Sequence, residues 1–191
     1  MFGLAIGTLW LIVAGTAFGT VSLFMIGTLF ARAVLLFETT AGVALCILAI
    51  RAIIKVKRLP GDARLPVSER RVTGRRFGRI VALEFLAIFV VNGVVSFAQH
   101  FELIAPLDLI IVGIHFLPLA KLFNVPRYSA LGVMFCATCV ATLSIVPPRL
   151  RIGYASAWFV IPSLGCAASA LVIGTASLIE VRNFLQRTRP I

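Results

Sequence analysis

Asp108 and His115 lie seven residues apart within an otherwise apolar stretch from Ile104 to Phe123. On a helix that spacing puts both on one line, two turns and about 10 Å apart. Imidazole titrates near neutral pH, and a carboxyl group in line with it has the chemistry to pass a proton or to coordinate a dehydrated cation. The apolar stretch before it, Ile80 to Phe97, carries a second set. At about 100 degrees per residue, Glu84, Asn92 and Gln99 fall within an arc of roughly 80 degrees, which would make one helix face polar from end to end. Glu38, in an earlier apolar stretch, is expected at the level of Asp108. These positions predict a polar seam lined by Glu38, Glu84, Asn92, Asp108 and His115, handling protons, a cation or a small polar solute. The same residues also read as a network that locks helices together, with Glu84 reaching toward Arg76 or Arg79.

Other reactive side chains give weaker signals. Cys136 and Cys139 form a C-x-x-C, the spacing of thiol redox centres, but their Val, Met, Phe and Ala neighbours offer nothing to stabilise a thiolate. Cys46 and Cys166 also fall inside apolar runs, so the four cysteines read as small buried residues and not as a disulfide framework. His100 and His115 are the only histidines and belong to neighbouring segments at different depths, a poor arrangement for haem. No zinc spacing, phosphate loop or Ser-His-Asp arrangement appears, so no metal, cofactor or catalytic residue is expected.

The elements that must position these groups are set by hydropathy. The 191 residues are 60% hydrophobic and 13% charged, with a mean hydropathy of +1.06. A soluble fold of that composition would have almost no polar surface, whereas a bilayer-spanning helix needs about 20 mostly apolar residues. Six such segments are predicted, at about 4–30, 33–54, 80–97, 104–123, 130–146 and 155–178. They form one all-α transmembrane domain over 1–191, a six-helix bundle with a basic loop at 55–79. The first segment exceeds what a bilayer needs, so it tilts or ends before Arg32. It has no basic leader and no cleavage site, and is expected to be retained. Pro147 and Pro148 stop the fifth. Ser68, after Pro66, is placed to cap a helix running through Glu69, Arg71 and Arg75 into the third, weakened by Gly74 and Gly78.

The net charge of +11 would suggest nucleic acid as a partner of a soluble protein. Here its distribution points elsewhere. Ten Lys and Arg residues lie between Arg51 and Arg79, two more are Lys121 and Arg127, and three are Arg182, Arg187 and Arg189. In a six-span chain all fifteen fall on one side, opposite Arg32, Arg149 and Arg151. The positive-inside rule then puts both termini and the basic loop in the cytoplasm, with anionic lipids as their partners and no nucleic acid.

Small residues recur at contact spacing in the first segment (Gly15 and Gly19) and the sixth (Gly165 and Ser169, Ala170 and Gly174), which predicts close packing of these two segments, within one chain or between copies. The stretch IVGIHFLPLAKLFNVPRY, Ile111 to Tyr128, resembles a segment of uncharacterised bacterial multi-spanning membrane proteins that carry a His-Phe-x-Pro-Leu-Ala run before a tyrosine. The resemblance covers about a tenth of the chain and implies no activity. It draws attention to His115 and Pro118. Together these readings predict a multi-pass protein of a bacterial inner membrane: a small transporter or channel, or else a structural or accessory subunit that binds lipid, a copy of itself or a partner membrane protein.

Overall fold

A computed structural model describes residues 2–57 and 67–187, with side chains placed from Gly7 to Val56 and from Thr73 to Arg187. The described residues form six α-helices: α1 (Phe2–Ile26), α2 (Leu29–Lys57), α3 (Val67–Phe97), α4 (Ile104–Phe123), α5 (Pro126–Ile145) and α6 (Ala157–Arg187). All six are long and apolar enough to cross a membrane. A 3-10 turn, Phe101–Leu103, joins α3 to α4, and a two-stranded hairpin, β1 (Arg151–Ile152) and β2 (Ala155–Ser156), precedes α6.

The boundaries differ from the sequence expectation where local chemistry overrides hydropathy. The first apolar run breaks four residues early. Gly27 takes a left-handed φ of +72°, and Thr28 Oγ1 accepts the Ala31 N–H at 3.1 Å, capping α2. In the other direction, α3 starts at Val67 and carries the helix through much of what hydropathy marks as the basic loop; Gly74 and Gly78 lie within it with open space around them. The proposed Ser68 cap, with Pro66, lies outside the described residues and side chains. The sixth helix is also longer than expected, beginning after the hairpin and running to Arg187.

Each remaining turn has a local cause. Asn124 adopts the left-handed conformation past the end of α4, where the Val125 N–H bonds Ala120 O at 2.9 Å, and Pro126 then opens α5. Past α5, Trp158 Nε1 donates to Val146 O at 2.8 Å. The hairpin lies over the α1–α2 turn: the Tyr154 N–H bonds Met25 O at 2.8 Å, and Gly153, with φ +64°, leaves no room for a Cβ against Ile26 O.

The centre of the bundle is the pair α1 and α6, which share the most extensive interface. Gly15 packs against Ala167 O and Ala170, and Gly174 against Leu11 and Ile12. The other small residues work elsewhere, correcting the expected α1–α6 pairing: Gly19 faces Glu38 of α2, and Gly165 faces Thr138 of α5, while Ser169 returns its hydroxyl to Gly165 O at 2.7 Å. Around this pair, one buried cluster joins Leu11, Leu109, Leu131, Phe135, Cys139 and Ala170, and a second joins Ile12, Ala49, Ala52, Leu178 and Val181. α4 and α5 approach most closely where Gly113 and Gly132 face each other's backbone. α3 stands apart. Among the described residues α4 is its one extensive helical neighbour, and the rest of its surface is exposed and apolar, with Phe89 77% and Phe97 91% exposed.

Candidate functional site

The α3–α4 interface is antiparallel and its contacts follow a regular register. Phe77 meets Phe123, with ring centroids 5.9 Å apart; Glu84 meets His115; Asn92 meets Asp108. Steps of seven and eight residues along α3 are matched by steps of eight and seven back along α4. Every two turns, therefore, the same two faces meet again, first through aromatic rings and then through two polar pairs.

The inner pair consists of Glu84 Oε1 and His115 Nδ1, 3.3 Å apart, with 13% of each side chain exposed. The approach is at ion-pair distance but off the line of a hydrogen bond, and the buried Nε2 has no partner. His115 is eleven residues into a twenty-residue helix, so its ring lies near the middle of α4. It stacks obliquely against Phe116, whose ring in turn packs edge-on against Tyr128 and Phe135 of α5. Pro118, three residues on, has no N–H to give, so the Ile114 carbonyl beside His115 loses its normal helical donor.

In the outer pair, Asn92 Nδ2 donates to Asp108 Oδ2 at 3.2 Å. Asn92 Oδ1 and Asp108 Oδ1 are buried without partners. The two stations are separated by about 10 Å along α4 and share one helix line. Each leaves polar atoms unpaired, and at membrane depth an unpaired polar atom costs a few kcal/mol unless water or a ligand meets it. The arrangement places two carboxyl groups and an imidazole at two stations of one interface, with unpaired buried polar atoms at each.

Glu38 of the expected seam, and Gln99 of the expected polar helix face, are not part of it. Glu38 faces α1 on the far side of the bundle, against Gly19, because α2 packs on α1 and α6 and not on α3. Gln99 falls beyond the end of α3 in a tight turn with φ +60°, exposed, its side chain donating to Ser96 O at 3.1 Å. The helical arc drawn through it therefore ends at Asn92. Glu84 makes its close ionic contact with His115 and not with Arg76 or Arg79, both exposed.

The thiols of the C-x-x-C face different helices. All four cysteines are unbridged. Cys136 Sγ points to Ile110 O of α4 at 3.7 Å, while Cys139 turns into the core against Cys166 of α6. Among the described residues no group of three or more His, Cys, Asp and Glu is placed to hold a metal ion. One ion pair was missed by the sequence reading: Arg127 at the start of α5 meets Glu180 of α6 at 2.7 Å and also reaches Ala176 O. Nothing local in the sequence marks residues 53 positions apart as partners. Comparison with known proteins finds no match among family models, curated proteins or solved structures.

Proposed function

We propose that this chain is a multi-pass integral membrane protein whose α3–α4 interface moves protons, or a small cation in their place, across the bilayer. Six helices of spanning length support insertion. Their alternating directions gather the ends of α2, α4 and α6 with the starts of α3 and α5, and the fifteen-to-three division of Lys and Arg supports a cytoplasmic location for that end, in a bacterial inner membrane. Anionic lipid head groups are the partners this basic end would recruit.

The observation that carries the transport reading is the pairing of Glu84 with His115 and of Asn92 with Asp108 in one helix–helix interface, with buried polar atoms left unpaired at each pair. Such groups are costly in a bilayer, and a proton path is the use that repays both an imidazole and two carboxyl groups in line. Purified protein in liposomes containing a pH-sensitive dye tests it. A pH gradient should collapse faster through the wild type than through empty vesicles, and His115→Ala should abolish the difference while the protein remains folded. Unchanged flux in that variant refutes the reading.

A second reading is favoured by α3 itself, whose large outward apolar face and single helical neighbour suit an accessory subunit that presents a helix to another membrane protein or to a second copy of this chain. In that case the polar pairs serve to hold α3 on α4. Mild detergent extraction would then bring down a stoichiometric partner, and reconstituted vesicles would hold their gradient. No enzymatic step and no cofactor are part of either reading.

A further inference from the structure

Glu38 is a buried carboxyl group that the α3–α4 interface does not use. It lies nine residues into α2, about 13 Å from the start of that helix. Both of its oxygens are buried and neither has a hydrogen-bond partner. They rest directly against Gly19 of α1, where even one methyl group would collide with the carboxyl. The hydroxyls on the neighbouring turns are already committed to backbone: Thr16 to Ile12 O, Thr39 to Leu35 O and Thr40 to Leu36 O, at 2.8, 2.8 and 2.6 Å.

Among the described residues no counter-charge faces it. α1 has no ionisable side chain between Gly7 and Ile26, and α6, the other helix packed on α2, carries Glu180, Arg182 and Arg187 only in its last turns, at the opposite end of the bundle. On α2 itself Arg32 is exposed six residues earlier, and Cys46, Arg51 and Lys55 lie two or more turns beyond. An isolated carboxylate anion in such a place would carry a heavy desolvation cost. Gly19 keeps the space for the group, so the position is shaped around a carboxyl.

We propose that Glu38 is a separate proton-binding site in the α1–α2 interface, a carboxyl group that takes up and holds a single proton within the bilayer, independent of the α3–α4 pairs. Its stem is only partly covered, leaving a lateral approach from the lipid.

A lipid-soluble carbodiimide probes this directly in the wild-type protein. The protonated carboxyl adds its oxygen to the central carbon of the reagent and its proton to nitrogen, and the product rearranges to a stable N-acylurea, with no leaving group and no co-reactant. At pH 7.5 an ordinary surface glutamate, with pKa about 4.3, is protonated in roughly one molecule in a thousand. Protein in liposomes treated with dicyclohexylcarbodiimide at this pH should be modified at Glu38 at least about tenfold faster than at exposed Glu180, as read by peptide mass spectrometry. The adduct should vanish in Glu38→Gln and persist in His115→Ala, which separates this site from the transport reading. Modification of Glu38 no faster than that of Glu180 overturns the proposal. So does protection by sodium at constant pH, which would make the occupant a metal cation.

Discussion

Because α3 is held chiefly by α4, the strength of its attachment should be measurable pair by pair. Removing Asp108 leaves the Asn92 amide without its acceptor, and removing Asn92 leaves Asp108 without its donor. Side-chain hydrogen bonds between membrane helices are worth about 0.6 kcal/mol on average and up to about 1.7, because the unfolded chain in lipid also finds partners. The distance of 3.2 Å and the two oxygens left open place this pair toward the middle of that range. The double-mutant cycle of Asn92→Ala and Asp108→Ala should therefore give a coupling near 1 kcal/mol, or about a fivefold change in the unfolding equilibrium constant. Glu84→Gln with His115→Ala should give a comparable coupling. Unfolding in mixed detergent micelles, followed by a fluorophore on α3, measures both, and an unrelated pair such as Thr138 and Cys46 serves as the additive control. Coupling at the control level for both polar pairs would show that they do not hold α3, and the register described for this interface would be wrong. Coupling of the expected size, together with abolished proton flux in His115→Ala, would give the pairs both roles.

Three further outcomes follow from the packing. Gly132→Leu should destabilise the protein by about 1–3 kcal/mol, since a side chain there must displace the Gly113 backbone, whereas Gly93→Leu, with open space around it, should cost little; the same micelle assay compares them. Cys139 and Cys166 should react with maleimide only on unfolding, and Cys136 slowly, with no disulfide found under oxidising conditions; rapid, oxidisable labelling of Cys136 and Cys139 would revive a redox role. Glu180→Gln should lower stability by no more than about 1 kcal/mol, and less at high salt, because the Arg127 pair is nearly half exposed on both sides.

Hydropathy made the six helices legible because spanning length is set by bilayer thickness, and their number follows from counting apolar runs. Their ends were less so. Gly27 and Thr28 break the first run by backbone conformation and a side-chain cap, effects too local to register in an average over twenty residues. Hydropathy alone assigns residues 67–79 to a loop, and it was the sequence from Ser68 through Glu69, Arg71 and Arg75 that pointed to the helical extension α3 makes there. At the candidate site, the seven-residue spacing of Asp108 and His115 was legible, and so was a polar face on the preceding helix; which groups meet was not, because depth put Asn92 level with His115 whereas it pairs with Asp108, and Glu84 takes the histidine. Glu38 was misplaced because depth alone does not say which helix is the neighbour. In this bundle α2 turns toward the first and last helices, and no periodicity within α2 records that choice.

The dominant contact between α1 and α6 also bears on how the chain is made. Ile12 and Gly174 meet although they lie 162 positions apart, so at synthesis rates of about 5–20 residues per second the first helix waits roughly 8–30 s for its partner. During that interval its small-residue face, with Gly15, lacks the α6 surface it packs against in the finished bundle. Only the last helix completes this interface, and the hairpin just before it bonds the α1–α2 turn from the Tyr154 N–H to Met25 O. Ribosomes stalled before α6 should hold a chain whose first helix cross-links to the insertion machinery, and release of that cross-link would time the closure.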